Sequence, residues 1–383
     1  MANVFEYVKN YGPVSFKDKP FTDADNVAMC CSFYMPLEQV VSADFDAEPI
    51  PFDEAFDKLF ELRGRKHTPV GLVLVKEISM LMEEMSRHKR FAEMKVVGCT
   101  DNFGKEPPVQ FNAGTFLLPN GDIVVLFRGT DDTLMGWLED VDILVDDDIP
   151  SHHLALEYIA QVAEKFEGDI IVCGHSKGGY IAQYAALNSP KEIRDRIKAV
   201  YNNDGPGFSD YDYLNSEAYN EILPRYKHLV PQSSFIGMML SHDDDYEVVK
   251  SNRVTGAMQH DLLSWQVDDD SVKKCEDMTT TGKVTDLVFH DLVSNLTPEE
   301  SNAFGEVVGS VFEGIDQKGL LDVKNHFSES VRGGAKAWKE LDPEVKKTFR
   351  KVIRGARKYV LDASRTVLKG EYKTVSERIE EEE

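Results

Sequence analysis

The residues whose types and spacing could do chemistry gather in one stretch, Asp169-Ile-Ile-Val-Cys-Gly-His-Ser-Lys-Gly-Gly-Tyr180. Within it, Gly174-His175-Ser176-Lys177-Gly178 matches G-x-S-x-G. A serine alcohol is a weak nucleophile until a base takes its proton. The pattern presents that serine at a strained turn between a strand and a helix, and its two glycines let strand and helix approach closely. Alone, G-x-S-x-G is common. Here an apolar strand-like run precedes it and the small-residue helix Gly178–Asn188 follows, which is the context the turn requires. The G-x-x-x-x-G-K-[ST] spacing of a phosphate-binding loop is absent from the sequence.

A serine nucleophile attacking a carbonyl needs donors for the charge that develops on oxygen, each typically worth ~3–4 kcal/mol. The backbone N–H after the nucleophile, here Lys177, is one. The strand Val124–Phe127, running into Arg128-Gly129-Thr130, offers a turn that can aim another. The base must be a histidine after Ser176, and His228, His242, His260, His290 and His326 qualify. His260, in Met258-Gln-His-Asp-Leu-Leu-Ser-Trp265, follows the last core strand, Glu247–Val249, and is the expected base. His242, before that strand, is the reserve. His175 is expected to aim into the scaffold and to be structural. For the acid, Asp204 in Tyr201-Asn-Asn-Asp-Gly-Pro-Gly207 follows a strand end and is preferred. The run Asp243, Asp244, Asp245 stays open as an alternative, although three consecutive aspartates more often make a solvated turn.

These residues need elements to position them. Residues 1–93 read as helical, with segments Phe21–Val41, Phe52–Leu62 and Val70–Met85. Strands follow at Met94–Cys99, Gln110–Leu118 and Asp122–Phe127, the last two joined by a Pro119-Asn120-Gly121 hairpin turn. The chain then alternates: helix His152–Phe166, strand Asp169–Cys173, the helix after Ser176, and strands Ile197–Tyr201 and Glu247–Val249. Such alternation predicts an α/β core with a parallel sheet. The run Asp169–Cys173 is apolar enough for burial on both faces. Tyr211–Tyr226 could supply a flap. After residue 271 the strands stop and helices Val284–Val293, Pro298–Phe312 and Asp342–Lys369 follow. In the last, Val345, Phe349, Ile353, Ala356, Val360, Ala363 and Val367 recur every three or four residues, as in one buried seam. The expected organisation is a helical region (1–93) packing on a core (94–270), with a C-terminal helical extension (271–383).

Phe127-Arg-Gly-Thr130, then Trp137-Leu138-Glu139-Asp140, then Gly174-His-Ser-Lys-Gly-Gly179 resembles the class 3 lipase family of α/β-hydrolases. It resembles more closely a bacterial branch of poorly characterised lipase-like proteins, over roughly residues 90–265. That branch has a pattern similar to Gln259-His-Asp-x-x-Ser-Trp265. The resemblance implies an α/β-hydrolase fold, a mostly parallel central sheet with helices on both faces. It implies an oxyanion donor at Thr130. It also implies a serine hydrolase, lipase- or esterase-like, cleaving an acyl ester or lipid through a covalent acyl-enzyme. Class 3 lipases commonly carry the acid as Asp before a Val-Pro-like step; here His228 and Leu229 precede Val230-Pro231, so the acid does not carry over. A catalytically silent hydrolase-fold scaffold or binding module is the alternative.

The net charge of −24 argues against a nucleic-acid partner, which clustered Lys and Arg would serve. Five cysteines without a CxxC spacing read as free thiols in a reducing cytosol. No secretory pattern and no long apolar run is visible, so a cytoplasmic location is expected. No cofactor or metal is expected, since the runs Asp146–Asp148, Asp243–Asp245 and Asp268–Asp270 lack the EF-hand spacing. Arg128 is expected to pair with Glu139 or Asp140. Residues 331–383 carry +4 against −28 for the rest, and Lys346, Lys347, Arg350, Lys351, Arg354, Arg357, Lys358 and Arg365 line the last helix. That helix is expected to dock on the chain's own acidic body or on a second copy. Peripheral contact with an anionic membrane is the other reading.

Overall fold

A computed structural model describes residues 3–69, 76–105, 108–130, 149–208, 213, 216–240, 246–315, 327–374 and 377. The chain opens with α1 (Val4–Tyr11) and α2 (Asp23–Ser32). Thr22 and Asp25 form a reciprocal cap at the start of α2, each side chain bonding the other's backbone N–H. Strand β1 (Ile50–Pro51) and helices α3 (Phe52–Leu62), α4 (Lys76–Ser86) and α5 (Lys89–Ala92) follow. Residues 70–75 of the expected Val70–Met85 helix lie outside the described residues. Arg90 and Asp25 are both fully buried and paired. Tyr7 donates to Asp25 at 2.7 Å, and the remaining guanidinium N–H groups reach the carbonyls of Val14, Lys19 and Pro20. Burial of an ion pair is tolerated when every donor is matched in this way, and here the pair locks α1, α2 and α5 together.

The single helix expected over Phe21–Val41 is shorter: α2 stops at Ser32, and one 3-10 turn covers Leu37–Gln39. Pro36 accounts for this, because the residue before a proline is pushed out of the helical region. The break frees the Phe33 carbonyl, which accepts from Arg128, and turns Tyr34 toward His175 at the end of a sheet strand.

Among the described residues the sheet has eight strands in chain order: β1, β2 (Lys95–Lys105), β3 (Pro108–Leu117), β4 (Ile123–Phe127), β5 (Ile170–His175), β6 (Ile197–Asn203), β7 (Tyr226–Pro231) and β8 (Tyr246–Val249). The pairings from β1 to β4 are antiparallel, and those from β4 to β8 are parallel. The parallel strands step across the sheet in one direction. Right-handed crossovers therefore put their connecting helices on one face. These helices are α6 (Pro150–Lys165), α7 (Lys177–Asn188), α8 (Lys191–Arg194) and α9 (Glu217–Ile222). Ile123, Val125, Phe127, Ile170 and Val172 point into that layer. The alternate residues Val124, Leu126, Ile171, Cys173, Tyr201 and Leu229 point the other way, against α1 to α4. The N-terminal helices thus cover the face that crossovers leave open. Every residue of β4 and β5 is buried, in keeping with the apolar runs that make up β4 and the first four residues of β5.

Beyond β8 come the single turn α10 (Gly256–Gln259), the short pair β9 (Val267–Asp268) and β10 (Ser271–Val272), then α11 (Thr280–Asn295), α12 (Pro298–Ile315), α13 (Phe327–Glu340) and α14 (Pro343–Lys369). Helix α14 is capped by Asp342 and ends at Gly370, whose φ of 74° suits glycine. Its seam packs on α11 and α12, with Val352 and Ala363 buried and Phe349 stacked on Phe304. Ile353 and Val360, expected in that seam, are exposed instead. They drift off it because the 3.6-residue turn does not keep every three-or-four step on one face. Lys351 reaches Glu300 at 2.7 Å, while Lys347 and Arg365 pair within α14. Among the described residues, no helix is long and apolar enough to cross a membrane.

Candidate active site

Strand β5 ends at His175 and α7 begins at Lys177, so Ser176 alone makes the turn, at φ 58° and ψ −133°. A non-glycine residue there costs about 1–3 kcal/mol and persists only when its surroundings enforce it. They do so through packing. A Cβ on Gly174 would overlap the Gly178 carbonyl, and one on Gly178 would overlap that of Phe127. Asn203 donates to the Gly174 carbonyl at 2.8 Å and exchanges side-chain amide bonds with Asn26 of α2. Serine is a favoured N-cap, yet the Ser176 hydroxyl makes no capping bond.

The end of β4 lies against this turn. A Cβ on Gly129 would overlap the His175 carbonyl and stand 3.1 Å from the Ser176 Cβ, so Thr130 follows directly at the rim. Arg128 braces this strand end, donating to the Phe33 carbonyl at 2.8 Å and pairing with Glu38 at 2.7 Å. The brace therefore runs to the segment freed by the break after α2. The expected partners Glu139 and Asp140 lie outside the described residues, with Trp137 and Leu138. Lys177 sends its side chain away from the site, where its ammonium donates to the Gln110 backbone carbonyl at 2.7 Å and side-chain oxygen at 2.9 Å. Its N–H stays in the first turn of α7, where helix geometry leaves donors pointing outward.

Asp204 follows β6 at φ 51° and is fully buried. Its Oδ2 accepts from His260 Nδ1 at 2.7 Å. Its Oδ1 accepts from the Gly237 N–H at 3.1 Å and from the Ser234 hydroxyl. His242 and Asp243–Asp245 lie outside the described residues. His228 is buried within β7, against the Gly205 carbonyl, and His290 is half-buried on α11. His326 is outside the described residues.

The segment carrying His260 is held by its own motif. Gln259 accepts from the Ser233 N–H and donates to the Arg253 carbonyl, both at 2.9 Å. The buried Trp265 donates to the Gln259 carbonyl, and Ser264 pairs with Ser251. Asp261 caps the turn at the Leu263 N–H, and burial raises its carboxyl above the usual range. His175, one residue before Ser176, contacts the Tyr34 hydroxyl through Nδ1 at 2.7 Å and the His260 carbonyl through Nε2 at 2.8 Å. Burial, then the neighbouring His260, hold His175 well below the ordinary histidine value.

Ser176, Asp204 and His260 thus share the edge formed by the carboxyl ends of parallel strands, where such sheets bind ligands. Tyr34, Ser234 and Gly237 carry no sequence signal. They reach the site only through the N-terminal break and through β7, a short strand whose Lys227, His228 and Pro231 hide its pattern. Among the described residues, no cluster of three or more His, Cys, Asp or Glu side chains could hold a metal. Residues 85–312, more than half of the chain, match the Mbeg1-like family, and the chain belongs to it. No curated protein matches, and neither does any solved structure.

Proposed function

We propose that this Mbeg1-like chain is a cytoplasmic serine hydrolase of the α/β-hydrolase type, lipase- or esterase-like, that cleaves an acyl ester. The observation that carries the reading is the 2.7 Å bond from His260 to the buried Asp204, beside the strained Ser176 turn. Ser176 Oγ attacks the ester carbonyl carbon while His260 Nε2 takes its proton. Asp204 holds the His260 tautomer and stabilises the imidazolium. The Thr130 and Lys177 N–H groups receive the oxyanion. His260 returns the proton to the departing alcohol, leaving an acyl-serine. Water, deprotonated by His260, then releases the acid and restores the serine. No cofactor enters these steps. In this reading residues 94–270 form the catalytic core, 1–93 its cover and 271–383 an extension. The basic outer face of α14 suits an anionic lipid surface.

A fluorophosphonate probe tests this. Labelling of the folded wild-type protein, lost in Ser176→Ala and weakened in His260→Ala, is the expected result. A folded wild-type protein that takes no label would leave the silent-scaffold reading.

A further inference from the structure

We infer that Tyr34 and His175 are positioning residues for His260, and that the N-terminal layer therefore completes the site. The inference rests on the proposed function. The His260 carbonyl can only accept, so His175 Nε2 must carry the hydrogen of that 2.8 Å bond. His175 Nδ1 is then an acceptor, and the Tyr34 hydroxyl donates to it at 2.7 Å. One directional chain runs from Tyr34 through His175 to the His260 backbone, and from the His260 ring to Asp204.

This chain sets the spacing between nucleophile and base. His260 ends the single turn α10, where carbonyls lack helical partners. A side chain from the residue before Ser176 fills that need, so the Ser176 turn and the His260 backbone are tied directly. Tyr34 fixes which His175 nitrogen carries the hydrogen. With the other tautomer, a lone pair would face the His260 carbonyl and the tie would be lost. The charge state matters equally. The two rings are 4.4 Å apart, and turnover places a positive charge on His260. A neutral His175 does not oppose that charge, and its depressed basicity keeps it neutral. Tyr34 stands outside the family-matched residues 85–312, in the segment freed by the break after α2.

The test uses Tyr34→Phe, His175→Gln and His175→Leu in the full chain. Gln can place an N–H where His175 Nε2 lies; Leu cannot. Fluorophosphonate labelling rates are measured across pH. The expected losses are about tenfold for Tyr34→Phe and about threefold for His175→Gln, as for hydrogen bonds of ordinary strength, and on the order of a hundredfold for His175→Leu, which leaves the His260 carbonyl and the Tyr34 hydroxyl without this partner. The pH midpoint of labelling should move in Tyr34→Phe, which a merely structural role would not cause. The NMR signal of the His260 Nδ1 proton provides a second readout and needs no activity. It should weaken in Tyr34→Phe and in His175→Leu. If the wild-type protein takes no label, the proposed function fails and this signal alone decides the positioning role. Folded variants with wild-type rates, midpoint and Nδ1 signal would overturn the inference.

Discussion

Replacing Asp204 by Asn probes the site with almost no change of shape. Its Oδ1 accepts from Gly237 N–H and the Ser234 hydroxyl, so the Asn oxygen must take that place. The Asn NH2 then faces His260 Nδ1, where the carboxylate now accepts at 2.7 Å. Two donors cannot face each other, so His260 must adopt the tautomer with its hydrogen on Nε2. That tautomer has no lone pair for the Ser176 proton. A wrong tautomer of this kind costs about 10³- to 10⁴-fold in rate, roughly 4–5 kcal/mol of activation free energy. Stability should change little, because the bonds from Ser234 and Gly237 survive. The assay is the rate of fluorophosphonate labelling and of ester hydrolysis, with thermal unfolding beside it. A folded Asp204→Asn protein within tenfold of the wild-type rate would refute the reasoning. So would an equal loss found only in Asp244→Asn.

The remaining predictions concern the cover, pH and the last helix. Arg90→Ala leaves the fully buried Asp25 unpaired and should destabilise the chain by about 3–5 kcal/mol in denaturant titrations, with Asp25→Ala similar. The His175 value is lowered on folding, so between that value and about 6.5 the unfolded chain binds the extra proton. Stability is therefore complete above this window, falls by about 1.4 kcal/mol for each pH unit descended within it and levels off below it, a loss that His175→Gln should remove from the melting curve. The chain should co-sediment with vesicles of acidic phospholipid at low salt, and a paired Arg354→Glu, Arg357→Glu exchange on the exposed face of α14 should release it; equal binding to neutral vesicles would contradict an electrostatic contact.

Much of the chain's local order is legible in its sequence because local sterics write it. The Gly174–Gly178 pattern forces a tight strand–turn–helix, since neither glycine leaves room for a Cβ. The apolar runs of β4 and β5 announce strands buried on both faces. Pro119-Asn120-Gly121 announces the hairpin between β3 and β4. By the same logic Ser176 and Asp204 stand out as residues directly after strand ends, whereas His260 stands out by its place in the chain after β8 and by the resemblance of its Gln-His-Asp motif. Other features depend on partners far away in sequence. Tyr34 meets His175 only because the helix over Phe21–Val41 breaks and the N-terminal layer covers the open sheet face. Ser234 and Gly237 reach Asp204 only through β7, and Arg128 finds Glu38 across the same N-terminal segment. Hydrophobic periodicity reports which residues are buried, whereas hydrogen-bond partners between distant segments are decided by how layers stack. For this protein the sequence determines the turn that presents the serine, and the tertiary structure alone decides which side chains hold the histidine and carboxylate in place.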